Sequence, residues 1–346
     1  MRKWNFGIIG AGVIADFHAR AINDIPQARL VGFCDGGSGR AAELAQKYAC
    51  SRFANYDQMV HSGDVDIVTI ATPSGFHLEP SVAAAKAGKH VICEKPLDVT
   101  LERVDTMIEA HRNAGTRLGG VFQNRFVDAV APLKKAIDAE RFGTVTYAGA
   151  YIPWWRPDDY YKDSWHGTWR LDGGGALMNQ GIHMVDLLCY LAGPVESVQA
   201  FTEKRGHQQI ETEDTSVAAL RFTSGALGVI YGTTASYPGQ LKRFEITGTR
   251  GTVVYLEDSF PVWQFEEEND EDHKIRRCFS RTQTTGGASD PAAIPYQNHT
   301  RNFQAFVDAL ERGKEFCLNG EQARKAVEVV LAVYKSAAEE RIVKLG

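Results

Sequence analysis

Apolar positions in the first third of the chain follow two alternating periods. Short apolar runs at Phe6–Gly10, Arg29–Cys34, Asp66–Ala71, His90–Cys93 and Arg117–Phe122 predict strands. Between them Val13–Asn23, Arg40–Tyr48, Pro80–Ala87 and Leu101–Arg112 predict helices, the first from the spacing of Val13, Ile14, Phe17 and Ala21. Strand–helix alternation implies a parallel sheet covered by helices on both faces. Strands that are apolar almost throughout, rather than at every second residue, fit that double burial.

After Gln123 the pattern changes. Helices are expected near Ala129–Glu140 and Met178–Leu191, but most of the segment to Phe279 reads as strand. Thr144–Ile152, Val195–Thr202, Ser216–Thr223, Ala226–Ala235, Phe244–Gly248 and Thr252–Leu256 are the candidates, most bounded by Gly, Pro or Asp. Consecutive strands without helices between them predict an antiparallel or mixed sheet of α+β type. Arg281–Pro295 reads as a long polar loop, and helices near Asn302–Glu311 and Gln322–Glu340 close the chain.

Composition narrows the class. A chain of 346 residues, 44% apolar, is long enough for two domains and apolar enough to bury their cores. A net charge of −5 speaks against nucleic-acid or anionic-membrane surfaces. No stretch approaches the roughly 18 apolar residues of a membrane span. Met1-Arg-Lys-Trp-Asn leads straight into the first strand without signal-peptide features. The cysteines Cys34, Cys50, Cys93, Cys189, Cys278 and Cys317 form no CxxC pair and are expected as reduced, mostly buried thiols. A soluble, cytoplasmic protein is the expectation.

Gly10-Ala-Gly-Val-Ile-Ala15 lies between the first strand and the first helix. There Gly10 permits a tight turn, Gly12 lets a pyrophosphate approach the backbone, and Ala15 allows close helix packing. The phosphates would meet the free N–H groups and positive dipole of the helix start. Asp35 ends the second strand, where an acid binds the adenosine ribose and repels a 2′-phosphate. NAD is therefore favoured over NADP. Arg40 leaves the alternative that it swings in to hold NADP.

Three further features carry candidate chemistry. Lys95, in Glu94-Lys-Pro96, follows a strand end, where open α/β sheets bind ligands, although it also reads as an ordinary surface lysine. If Gly173-Gly-Gly175 opens a helix, Asn179, His183 and Asp186 share one face at i, i+4 and i+7. His183 beside a carboxylate suits an oriented proton acceptor, but equally a structural histidine. No metal-ligand spacing of the HExxH or CxxC kind occurs, so no metal is expected. Finally, Tyr147, Tyr151, Trp154, Trp155, Tyr160, Tyr161, Trp165 and Trp169 are interleaved with Arg156, His166 and Arg170. Flat rings with polar groups between them suit a pyranose, or else an interface.

Taken in order, GxGxxA, Ala71-Thr-Pro-Ser-Gly-Phe-His77, Ala87-Gly-Lys-His-Val-Ile-Cys-Glu-Lys-Pro96 and Asn179…His183…Asp186 resemble the Gfo/Idh/MocA oxidoreductases over essentially the whole chain. Trp155-Arg-Pro, Trp165-His-Gly-Thr-Trp169 and Asp172-Gly-Gly-Gly resemble, more narrowly, the UDP-N-acetylglucosaminuronate 3-dehydrogenases. The resemblance implies an α/β fold: an N-terminal Rossmann doubly wound parallel sheet (1–122, NAD-binding) and a C-terminal α+β domain with a large open mixed or antiparallel sheet (123–346, substrate binding and oligomerisation). It implies a homodimer or homotetramer. Lys95 and His183 become the acid/base pair, with Asn179 and Asp186 completing the catalytic set. Asn179 stands where inositol dehydrogenase-like members carry Asp, so it can orient a hydroxyl but not relay a proton. The implied cofactor residues are Gly10, Gly12, Val13, Ile14, Asp35, Arg40, Thr72, Pro73, His77, Glu94, Lys95 and Gln123. The implied substrate residues are Arg125, Trp155, Arg156, Tyr160, Trp165, Trp169 and Asn179. The expected activity is NAD-dependent oxidation of a secondary hydroxyl of a sugar, glycoside or nucleotide sugar, with C3 a candidate position. Redox-assisted glycoside cleavage and a non-catalytic NAD-binding regulator stand as alternatives.

Overall fold

The apolar runs of the first third assemble as expected, strand beside strand. In chain order they are β1 (Trp4–Ile9), α1 (Val13–Asn23), β2 (Ala28–Cys34), α2 (Arg40–Lys47), β3 (Ser51–Arg52), α3 (Tyr56–Val60), β4 (Ile67–Ile70), α4 (Leu78–Lys86), β5 (His90–Cys93), α5 (Leu101–Ala114) and β6 (Leu118–Gly120). All strand pairs are parallel, in the order β3-β2-β1-β4-β5-β6. Order reverses between β1 and β4, which opens a crevice beyond their carboxyl ends. β4 is buried at every residue, as two-sided cover demands. α5 shows how locally its limits are set: the Thr100 hydroxyl caps it by accepting from Arg103 N–H, and Gly115 ends it at φ +68°.

This computed structural model describes residues 3–162, 164–282, 287–288 and 295–346. It divides into two units, Met1–Gln123 with Tyr296–Arg324, and Asn124–Pro295 with Lys325–Gly346. The second unit begins with α6 (Val130–Asp138), β7 (Val145–Pro153) and α7 (Ile182–Ala192). β8 (Val195–Glu203), β9 (Thr215–Phe222), β10 (Leu227–Thr233), β11 (Arg243–Gly248), β12 (Gly251–Leu256), β13 (Ser259–Phe265) and α8 (Asp270–Cys278) follow. The chain closes with α9 (Gln297–Glu311), α10 (Gly320–Glu339) and β14 (Val343–Lys344). The second sheet is mixed, ordered β13-β12-β11-β7-β10-β9-β8-β14, with β7 and β10 parallel and its other pairs antiparallel. It buries one face: Ser216, Ala218, Leu220 and Phe222 of β9 turn inward while Val217 stays exposed.

Three departures from the sequence expectations have physical causes. Residues 296–324 gather with the first unit rather than with 123–295. The amphipathic spacing of α9 shows an apolar face but not its partner, which is Phe6 stacked on Phe303 at 6.2 Å. β13 contains Pro261, tolerated because the strand lies at the sheet edge. α8 is mostly polar and rests on the capping box of Asn269 and Asp272 rather than on apolar period. The cysteines form no disulfide, but only Cys34 and Cys93 are fully buried, and Cys278 and Cys317 are exposed. Most of 281–295 lies outside the described residues. No described helix is long and apolar enough to cross a membrane.

Candidate functional site

In the first unit the glycine loop fits a dinucleotide. Gly10 adopts φ +108°, and a Cβ there would lie 2.4 Å from the Ala71 carbonyl oxygen, so no other residue closes this turn. A Cβ on Gly12 would meet nothing within 4 Å; the space beside it is open. No side chain caps α1, so its first N–H groups are offered to an anion. Val13 is 71% exposed at this helix start, and Ile14 is half-buried behind it. Asp35 accepts hydrogen bonds from Gly37 N–H (3.0 Å), the Ser38 hydroxyl (2.6 Å) and Ala41 N–H (3.1 Å). Burial would raise its pKa, but those bonds outweigh it and hold the carboxyl below its usual range. Acceptor capacity is left on Oδ1 for a ribose hydroxyl. Arg40 stands exposed at the start of α2. Gln123 is buried with Oε1 unpartnered among the described residues, an orphan that a polar ligand group would satisfy.

Two of the residues expected at the cofactor serve the loop instead. His77 is wholly buried, with Nδ1 2.9 Å from the Pro96 carbonyl and Nε2 3.0 Å from the Thr72 carbonyl. Both ring nitrogens are used, so His77 pins Thr72–Pro73 to the segment after Lys95. Glu94 is likewise buried. Its Oε2 accepts from Lys95 N–H (3.0 Å), and its Oε1 lies 2.9 Å from His18 Nε2. The other ring nitrogen of His18 meets the Thr69 hydroxyl at 2.8 Å. His299 of α9 sits 3.9 Å from the same Glu94 oxygen. Burial works against the charge of Glu94, but His18, His299 and Lys95 prevail and bring its pKa down to about 2. The chain direction at Lys95 is thus set by a buried carboxylate tied to α1 and β4. The sequence carried no sign of His18 and His299, which come from helices separated by more than 270 residues.

In the second unit the segment before α7 is not α-helical. Ala176–Gly181 forms a π turn, and the α-helix begins at Ile182. Asn179, His183 and Asp186 therefore do not share one continuous α-helical face. Insertions of this kind recur at functional sites because they re-aim side chains. Here the cause is packing. Glu213 Oε2 accepts from Gly175 N–H and Oε1 from Leu177 N–H, both at 2.9 Å, and Oε1 also accepts from the Tyr334 hydroxyl at 3.0 Å. Tyr334 in turn accepts from Met178 N–H at 3.1 Å. Gly174 and Gly175 are required, since added Cβ atoms would lie 2.3 Å from the Tyr334 oxygen and 1.7 Å from the Glu213 carbonyl oxygen. Burial lifts Glu213 to about 7 against these donors.

Asp186 does not orient His183 as expected. It is fully buried and takes a bidentate pair from Arg125, at 2.7 and 2.6 Å. Arg125 also stacks over Tyr190 at 4.5 Å, so this expected substrate cation is a scaffold of α7. Arg156 is similarly committed. The residue is 2% exposed, and its guanidinium donates to the carbonyls of Trp155 (2.7 Å) and Gly287 (2.7 Å) and lies over Trp154. The rings do gather. His166 stacks between Trp165 (4.1 Å) and Tyr160 (4.4 Å), and Tyr160 accepts a hydrogen bond from Gln180 of the π turn at 3.3 Å. Trp155 packs on Tyr237 at 5.4 Å, and Trp169, 49% exposed, on Tyr334 at 5.4 Å. Tyr147 and Tyr151 stand apart, hydrogen-bonded to each other on β7 and joined to Glu245 of β11. Asn179 donates from Nδ2 to Asp172 at 2.6 Å.

This arrangement has counterparts among known proteins. Residues 4–121 match the profile of an oxidoreductase family with an NAD-binding Rossmann fold, and residues 130–254 match the GFO/IDH/MocA C-terminal domain. The WlbA dehydrogenase of Bordetella pertussis, solved with NADH and UDP-GlcNAcA, is 33% identical, with a TM-score of 0.88 over 100% of this chain and 99% of that one. Its namesake from Chromobacterium violaceum, also solved with NADH and UDP-GlcNAcA, is 32% identical, with a TM-score of 0.89 over 100% and 97%. The inositol 2-dehydrogenase of Rhizobium meliloti is 27% identical over 99% of both chains.

Proposed function

The chain belongs to the GFO/IDH/MocA family of NAD-binding oxidoreductases, and we propose that it oxidises a secondary hydroxyl of a pyranose, with a nucleotide sugar the first substrate class to test and C3 the first position. The observation that carries this is its 33% identity, along the whole chain, to a dehydrogenase solved with NADH and UDP-GlcNAcA, together with the presence of Lys95 and His183. NAD, when bound, accepts the hydride. The glycine loop and the start of α1 hold its pyrophosphate, Asp35 its ribose, and Gln123 a polar group of its nicotinamide half.

The chain's own residues then govern the proton. As the carbinol C–H bond gives up hydride, the hydroxyl must lose its proton, or charge accumulates on carbon. His183, 8% exposed, takes that proton. Lys95 donates a hydrogen bond to the oxygen as negative charge develops there. Asn179 accepts from a neighbouring hydroxyl and fixes which carbon reacts. The ring cluster of Tyr160, Trp165 and His166 supplies flat apolar surface for the C–H face of the sugar. The product is a ketone, with the proton on His183. Copies of the chain associate through the outer face of the second sheet, where Phe201, Val217 and Leu227 are exposed.

The test is NADH formation with UDP-GlcNAcA, other UDP-sugars, inositols, alkyl glucosides and aldoses, repeated with NADP. Turnover is expected with NAD and at least one pyranose. Lys95→Ala should cut kcat/KM by at least ~10³-fold while leaving the NAD Kd within about threefold. A fully active Lys95→Ala protein would refute the assigned chemistry.

A further inference from the structure

Asn179 cannot relay a proton, and the structure sets a carboxylate directly against its amide. Asp172 is 1% exposed. Its Oδ1 accepts from Asn179 Nδ2 at 2.6 Å, its Oδ2 accepts from Gly167 N–H at 2.8 Å, and its own N–H donates to the Thr168 carbonyl at 3.1 Å. A carboxylate only accepts, so the atom of Asn179 facing it must be the NH₂ group. The amide can no longer flip, and it turns its acceptor oxygen away from Asp172. The Asn179 backbone is held as well, through N–H to the Gly175 carbonyl at 3.0 Å.

We propose that Asp172 is a positioning residue that locks Asn179 as a hydrogen-bond acceptor for a substrate hydroxyl. This rests on the sugar-oxidation reading for what Asn179 binds, but not for the pairing itself. The lock selects a substrate that presents a hydroxyl donor to position 179. It also keeps the local negative charge buried, one hydrogen bond behind the group that meets the substrate. No proton moves through the pair: Asn179 has none to relay, and Asp172 passes on only orientation.

The pairing makes an unusual demand on substitutions, because the two side chains should be interchangeable together but not singly. In Asp172→Asn, the amide at 172 keeps its oxygen on Gly167 N–H and turns its NH₂ to position 179, so Asn179 must flip to accept and then presents a donor, not an acceptor, to the substrate. In Asn179→Asp, two carboxylates come within hydrogen-bond distance and must share a proton. In the double variant Asp172→Asn/Asn179→Asp, the amide at 172 accepts from Gly167 and donates to the carboxylate at 179, so every bond is remade. Tyr160 and Tyr161 face Asp172, both held above the usual tyrosine range by burial, so neither adds charge near neutral pH.

The experiment compares the wild type, both single variants and the double variant by steady-state kinetics and by thermal unfolding across pH 5–9. Asp172→Asn should lower kcat/KM about tenfold, with Tm nearly unchanged and NAD affinity intact. Asn179→Asp should lower it about 10- to 100-fold and add a new limb to both the pH–rate profile and the pH dependence of Tm. The double variant should lose that limb and recover at least ~10-fold over Asn179→Asp. Wild-type kcat/KM in Asp172→Asn, or a double variant no better than Asn179→Asp, would overturn the proposal, as would an activity loss in Asp172→Asn that merely tracks a fall in Tm. If no sugar is oxidised by the wild type, the functional reading fails, while the Tm limb that appears in Asn179→Asp and vanishes in the double variant still decides the pairing.

Discussion

Each of the two units carries an irregular segment at or beside a residue proposed to react, Lys95 in one and His183 in the other, and they hold those segments by different sets of groups. Around Lys95 the fastening groups are histidines together with one buried carboxylate. His77 reaches the carbonyls of Thr72 and Pro96, and His18 meets Glu94, whose other oxygen takes the Lys95 N–H. Around Asn179 and His183 the fastening groups are carboxylates, with Glu213 gripping the first amides of the π turn and Asp172 the Asn179 side chain. The difference follows from what each segment exposes. The stretch after β5 offers the Pro96 carbonyl to His77 as well as the Lys95 N–H to Glu94. The turn before α7 offers N–H groups, which need acceptors.

Steric demand separates the two most sharply. Gly175→Ala drives a Cβ to 1.7 Å from a backbone oxygen, so it should cost more than ~3 kcal/mol and leave little folded protein. Gly12→Ala meets nothing within 4 Å, so denaturant unfolding should show a loss of no more than about 1 kcal/mol. The NAD Kd should nevertheless rise at least ~10-fold, because the Cβ fills the pyrophosphate approach. A Gly12→Ala protein with unchanged NAD affinity would mean the loop does not hold the dinucleotide.

The buried groups of the two units also predict opposite responses to pH. Glu213 titrates at about 7, above its ordinary 4.5, so the folded state favours its protonated form. Its contribution to stability is present below 4.5 and lost as pH rises through about 7, by up to about 3 kcal/mol. Burial lowers His299 and His111 from 6.5 to about 4. For such bases stability is present above 6.5 and lost as pH falls through 4. Urea unfolding between pH 4.5 and 7.5 should therefore show Glu213→Gln removing a downward slope and His299→Gln removing an upward one. Identical slopes in the two variants would erase the contrast. The smallest effect expected is that of Tyr334→Phe, which takes a donor from Glu213 and an acceptor from Met178 N–H, for about 1–2 kcal/mol by the same measurement.

Legibility differed between the units for a related reason. The first follows from short-range pattern: Gly10, Gly12 and Asp35 fall at spacings dictated by the turn, the helix start and the strand end. In the second, ring and glycine clusters marked the right stretch but not the roles within it. Arg125 and Arg156 looked like cations for a substrate, yet Asp186 and the carbonyls of Trp155 and Gly287 take them up. Glu213 and Tyr334 lie 121 residues apart and carry no local signal at all.

By itself the sequence determined the period of each element, the glycine-lined dinucleotide loop and the presence of Lys95 and His183, since each depends on neighbours only a few residues away. Tertiary structure alone decided that α9 returns to the first unit and that Ala176–Gly181 winds as a π turn. It alone decided which buried acids and histidines hold the segments around Lys95 and Asn179. Those outcomes depend on which polar groups meet once water is excluded, and an unpaired group there costs about 1–3 kcal/mol. The partners that prevent that cost are brought together by the fold from distant parts of the chain.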